Sequence, residues 1–131
     1  MTDEPVRVLI VDDLALNLKL LSAILGANHF AVETATSAEA ALDILATTGF
    51  PLVLLDLRLP GMDGLTLARQ LRADPAHRGA VLVAVTANAM KSDQAAALAA
   101  GCDAFVTKPI NTRTLIPLLT GLLARAQRRV V

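Results

Sequence analysis

The stretch that most constrains this chain is the apolar run Leu52-Val53-Leu54-Leu55, followed at once by Asp56. Four consecutive apolar residues without polar alternation suit a parallel strand buried on both faces, not a strand with one wet side. A strand of that kind sits inside a sheet covered by helices above and below. Asp56 then falls at its C-terminal end, the edge of an open α/β sheet where ligands bind and helix N-termini point inward.

The segment Val6 to Val11 repeats the pattern and ends in the pair Asp12-Asp13. Two such strands lying in parallel bring three carboxylates together. At ~4 Å and an effective dielectric of about 20, each like-charged pair repels by roughly 4 kcal/mol, so the cluster takes up a proton or a cation. All-oxygen ligation suits a hard divalent ion, Mg2+, which keeps several waters and needs only a few carboxylates.

The segments between the strands read as helices. Leu14, Leu18, Leu21 and Leu25 share a helical face that Gly26 closes, and Phe30, Val32 and Thr34 alternate with Ala31, Glu33 and Ala35 as an edge strand does. Ser37 offers an N-cap to a helix that buries Ala41, Leu42 and Leu45, ending by Gly49. After the turn-forming Gly61 and Gly64, Leu65, Ala68 and Leu71 keep helical spacing up to Asp74-Pro75, where proline forbids continuation. Ala80 to Val85 is another continuous apolar run and ends in Thr86. Ser92 to Ala100 is alanine-rich, with little apolar bulk to anchor it before Gly101.

Ala104-Phe105-Val106 then leads to Thr107-Lys108-Pro109, with Lys108-Pro109 a candidate cis bond. The last helix, from about Thr112 to Arg128, carries Leu115, Leu118, Leu119, Leu122 and Leu123 as its core stripe. Pro117 within it should kink it or delay its start, so that regular hydrogen bonding begins around Leu115. Arg125, Arg128 and Arg129 complement the negative end of its dipole. Successive βα units with right-handed crossovers make a doubly wound α/β sheet.

Composition narrows the functional classes. A chain of 131 residues that is 54% hydrophobic fits one domain, here residues 1–131, with a core that needs no staples. Twelve basic against twelve acidic residues leave no global field to recruit nucleic acid or a membrane surface. The lone Cys102 leaves no internal disulfide. The N-terminus lacks a secretory pattern and no apolar run reaches membrane-spanning length, so the expected location is cytoplasmic. His29 and His77 fall in loops without metal-ligand spacing and are expected to face solvent.

Asp12-Asp13, Asp56, Thr86 and Lys108-Pro109 stand at successive strand ends, with Pro60-Gly61-Met62-Asp63-Gly64 after the central aspartate. In these residues, and over essentially its whole length, the chain resembles a response-regulator receiver domain of two-component phosphorelays. The resemblance implies a flavodoxin-like (βα)5 fold, strand order 2-1-3-4-5. It implies Asp56 as phosphoacceptor, with Mg2+ held by Asp12, Asp13, Asp56 and the backbone carbonyl of Arg58. Lys108 would pair with a phosphoryl oxygen, Thr86 would donate its hydroxyl to another, and Phe105 would turn inward as the switch aromatic. Arg58 and Asn88 would tune the phosphoryl lifetime.

The chemistry agrees independently: a carboxylate attacking phosphorus needs positive charge where negative charge collects, and a metal ion and an ammonium supply it. The implied donor is a histidine kinase or histidine phosphotransfer protein, the downstream target is a protein, and the chain itself is expected to act as a monomer or a phosphorylation-dependent dimer. Nucleic acid and membrane are not implied as direct partners. Catalysis is confined to self-catalysed phosphotransfer and autodephosphorylation, so the chain is not expected to be an enzyme in the turnover sense.

The leading expectation is a stand-alone receiver, the alternatives a receiver piece of a larger regulator or hybrid kinase, or a phosphorylation-independent adaptor. A phosphatase working through an aspartyl phosphate would want a general acid where Arg58 stands. A nucleotide-binding module would want glycine and hydroxyl residues where Asp12-Asp13 would repel phosphates.

Overall fold

The computed structural model describes residues 4–87 and 90–130. Strands and helices alternate as β1 (Val6–Val11), α1 (Ala15–Gly26), β2 (Phe30–Ala35), α2 (Ala38–Leu45), β3 (Leu52–Asp56), α3 (Gly64–Ala73), β4 (Val81–Thr86), α4 (Lys91–Ala99), β5 (Ala104–Thr107) and α5 (Thr112–Val130). All strand pairs are parallel and the order is β2-β1-β3-β4-β5, as expected from the flavodoxin-like resemblance.

The continuous apolar runs serve two cores at once. Leu9, Val11, Val53, Leu55, Leu82 and Ala84 face α2, α3 and α4, while Val8, Ile10, Leu52, Leu54, Val81 and Val83 face α1 and α5. Each central strand alternates its side chains between two apolar layers, which is why no polar residue interrupts Val8–Val11, Leu52–Leu55 or Val81–Val85. β2 pairs with β1 alone, and its outward Glu33 and Thr34 are exposed, as an edge strand requires.

Local chemistry sets most element ends. Ser37 caps α2, its hydroxyl accepting the Ala40 amide at 3.0 Å, and Asp63 caps α3, its carboxylate accepting the Thr66 amide at 2.8 Å. α4 is lightly anchored, with Ala97 its buried residue. Gly101 follows it with φ of +108°, where a Cβ would run into Arg72 Cγ. The Lys108-Pro109 peptide is cis.

Two expectations need correction. Leu14 is not on the buried face of α1: Asp12 Oδ1 accepts its amide at 2.9 Å, which keeps Leu14 extended as the N-cap and 56% exposed, and the buried face is Leu18, Leu21 and Leu25. The onset of α5 is as expected: the helix starts at Thr112, and its first full-turn hydrogen bond is donated by the Leu115 amide to Asn111 O at 3.1 Å. The α5 stripe is centred on Leu115 and Leu119, so Leu118, three residues on from Leu115, lies at its margin and is exposed. The side chains of Arg128 and Arg129 lie outside the described residues.

Candidate functional site

The C-terminal ends of β1, β3, β4 and β5 meet at one edge of the sheet, and each delivers a residue singled out in the sequence. β1 runs directly into Asp12 and Asp13, β3 ends in Asp56, β4 ends in Thr86, and Lys108 follows β5. Register explains the convergence: Val11 pairs with Leu55, Asp56 with Val85 and Thr86 with Thr107, so the strands stop nearly level. The Lys108 amide then donates to Thr86 O at 2.8 Å, which fixes where the lysine leaves the sheet.

Asp12, Asp13 and Asp56 each place a carboxylate oxygen within 4.8 Å of the others. Asp12 and Asp56 are buried and Asp13 is exposed, so the cluster opens to solvent on one side. Lys108 Nζ lies 2.9 Å from Asp12 Oδ2 and 2.7 Å from Asp56 Oδ2, bridging the two buried acids. Burial works against the lysine's charge, but hydrogen bonds and attraction from Asp56 and Asp12 outweigh it and hold its pKa above the ordinary value.

Three carboxylates against one ammonium leave two negative charges, which one divalent cation balances. The donor set is oxygen only, buried on one side and open on the other, which fits Mg2+ with part of its water shell retained. Magnesium binding at this acidic edge is therefore consistent with the side chains present.

The loop after β3 is held tightly against the strand end. Asp56 Oδ1 accepts the Arg58 amide at 3.0 Å. The Gly64 amide donates to Leu57 O at 3.2 Å, and a Cβ on Gly64 would collide with Asp56 O and Leu57 Cα. Gly64 is thus a close-approach residue and not the turn former expected from sequence: α3 begins in contact with the backbone that presents Asp56. Gly61, with φ of +74°, is the turn former.

Thr86 is buried at the end of β4, one position beyond the residue paired with Asp56, and Phe105 is half-buried against the α2–α4 side of the core. Asn88 lies outside the described residues. His29 is exposed, but His77 is half-buried, its Nε2 2.9 Å from Leu45 O, because the α3–β4 loop folds back onto the end of α2.

Several contacts were not anticipated from sequence. Asn17 Nδ2 donates to Asp12 Oδ2 at 3.3 Å, and Glu39 Oε2 accepts the Met62 amide at 3.2 Å, tying α2 to the loop after β3. The available signal for Asn17 was an amide in the first turn of a largely apolar helix, directly after an acidic strand end. At the opposite edge of the sheet, Arg72 and Asp103 pair at 2.6 Å. Beside them, burial pushes the Cys102 thiol up to about 11, which marks it as packing.

Comparison with known proteins agrees with this geometry. Residues 8–120 match the family model described as the response regulator receiver domain. Over 116 residues the chain is 40% identical to the response regulator PleD of Caulobacter vibrioides, covering 88% of this chain and 26% of that protein. A CheY-like receiver domain protein from Methanospirillum hungatei superposes with a TM-score of 0.88 at 30% identity, covering 95% of this chain and 98% of that one. The receiver domain of a sensor histidine kinase from Pseudomonas aeruginosa superposes with a TM-score of 0.85 at 27% identity, covering 92% of this chain and 98% of that one. That structure has a magnesium ion coordinated in its active-site cleft.

Proposed function

The chain belongs to the response regulator receiver domain family of two-component signalling, and from that premise we propose that Asp56 is its phosphoacceptor. The phosphoryl group comes from a histidine kinase or a histidine phosphotransfer protein. The observation that carries the reading is the bridging of Asp12 and Asp56 by Lys108 beside an exposed third carboxylate, an arrangement charged to accept a cation and then an anionic group.

Asp12, Asp13, Asp56 and the Arg58 carbonyl would hold Mg2+. When bound, the ion supplies positive charge to the phosphoryl oxygens. An Asp56 oxygen attacks phosphorus, the new O–P bond forms as the donor's N–P bond breaks, and the electron pair stays with the leaving imidazole. Lys108 shifts its ammonium from the Asp56 carboxylate to a phosphoryl oxygen, serving as a compact point charge where a planar guanidinium would not fit a shared cleft. Thr86 then donates its hydroxyl to another phosphoryl oxygen, and Phe105 moves inward with it. That differential contact biases the domain toward a second conformer with a different affinity for its target protein. The chemistry is self-catalysed transfer and autodephosphorylation, and its product is a signal.

Among the described residues no helix is long and apolar enough to cross a membrane. A cytoplasmic location, with a protein as target and a monomer or phosphorylation-dependent dimer as the signalling form, completes the proposal.

Intact mass after incubation with Mg2+ and a small-molecule phosphodonor tests it. One phosphoryl group should be gained by the parent and lost with chelator or with Asp56→Asn. No gain by folded protein in Mg2+ would overturn the assignment and favour an adaptor of the same fold.

A further inference from the structure

Asp12 is 2% exposed and both of its carboxylate oxygens are engaged. Oδ1 accepts the Leu14 amide at 2.9 Å, and Oδ2 accepts Lys108 Nζ at 2.9 Å and Asn17 Nδ2 at 3.3 Å. The lysine is shared with Asp56, which it approaches more closely, at 2.7 Å. If Asp56 takes up a phosphoryl group, the ammonium follows the new charge and Asp12 Oδ2 loses its cationic partner. Asn17 is the donor that remains.

We propose that Asn17 is a positioning residue that keeps the Asp12 carboxylate aimed at the cation site, both while Lys108 shares that oxygen and after it turns to the phosphoryl group. This rests on the function proposed above. The residue type suits the task. An amide donates without carrying charge, so it orients the carboxylate without neutralising it, whereas a lysine or arginine there would compete with a divalent cation. Its contact is near the long end of hydrogen-bond range, leaving room to shorten once Lys108 departs.

Its place in the chain explains how it gets there. Asn17 lies in the first turn of α1, half-buried beside the inward-facing Leu18, and the Asx-type bond from Asp12 Oδ1 to the Leu14 amide sets where that turn begins. The carboxylate that Asn17 orients therefore also fixes the start of the helix that carries Asn17.

The test is Mg2+ affinity by titration calorimetry, with thermal melting in parallel. Asn17→Leu removes the donor while keeping the branched outline of the side chain, and leucine's higher helix propensity favours α1. It should weaken Mg2+ binding by roughly tenfold, the low end for losing a hydrogen bond to a metal-ligating group, without lowering the metal-free melting midpoint. Asn17→Gln keeps an amide donor and should recover affinity toward the parent value. An Asn17→Leu protein that binds Mg2+ as the parent does, or an Asn17→Gln protein as weak as Asn17→Leu, would overturn the assignment. If the parent itself neither binds Mg2+ nor gains a phosphoryl group, the phosphoacceptor reading fails first and takes this one with it; a working parent beside an unaffected leucine variant removes Asn17 alone.

Discussion

The two edges of the sheet each hold a partly buried ion pair, and they differ in how the charges balance. At the N-terminal edge Arg72 Nε donates to Gly101 O at 2.7 Å, its NH1 to Arg78 O and Ala80 O at 2.7 and 2.6 Å, and its NH2 to Asp103 Oδ2 at 2.6 Å. Asp103 Oδ2 also accepts the Leu82 amide at 2.9 Å. Among the described residues one cation faces one anion, and a rigid fork directs its donors to fixed backbone oxygens. At the C-terminal edge one flexible ammonium is spread between two acids, with a third beside them. The first arrangement is closed and ties α3, β4 and β5 together; the second is short of positive charge and so can respond to a cation or to a phosphoryl group. Ion pairs of similar length thus do opposite things, according to whether their charges are matched.

That contrast can be broken from either side. Arg72→Ala should have the largest effect, about 3 kcal/mol of stability by denaturant unfolding, because it strips several hydrogen bonds at once. Added Mg2+ should not restore the loss. Lys108→Met should cost about 2 kcal/mol in metal-free buffer by leaving two buried carboxylates facing each other, and here Mg2+ should restore most of it.

The Lys108 contribution also has a pH signature. Its folded-state pKa lies above the ordinary 10.5, so its stabilisation is complete below that value and is lost as pH rises through the folded-state pKa. Unfolding curves of parent and Lys108→Met should therefore converge only in that alkaline range. The smallest effect concerns the loop beside the site. Asp63→Ala should cost about 1 kcal/mol through loss of the α3 cap. The hydrogen bond from the Thr66 amide holds the Asp63 carboxyl below its ordinary 3.8, so this difference is present above that pH and fades as pH falls through the lower folded-state value.

Most of the architecture could be read from residue pattern because the strands are buried on both faces and leave uninterrupted apolar runs. The acidic strand ends and Lys108 were legible for the same reason, since polar residues at the tips of such runs must gather at one sheet edge. Asn17, Glu39 and the Arg72–Asp103 pair were not legible. Glu39 and the Arg72–Asp103 pair depend on how elements distant in sequence are set against each other, while Asn17, five residues from Asp12, depends on the turn by which β1 enters α1; singly each looks like a solvated helix or loop residue. Gly64 was visible as a glycine, but its need for contact with the Asp56 backbone emerges only when α3 is seen packed against the end of β3. Leu14 was misplaced because hydrophobic periodicity ignores the Asp12 bond that fixes where α1 begins.

The most direct test is amide hydrogen exchange of the Mg2+-loaded protein before and after treatment with a phosphodonor, with Asp56→Asn alongside. Exchange should change at the end of β4, in α4 and around Phe105 to Lys108. The Leu82 and Asp103 amides, bonded to Asp103 Oδ2 and Leu82 O at 2.9 and 2.7 Å, should stay as protected as before, and Asp56→Asn should show no change. Loosening of those two amides, or the same exchange pattern in Asp56→Asn, would contradict a responsive edge set against a fixed one.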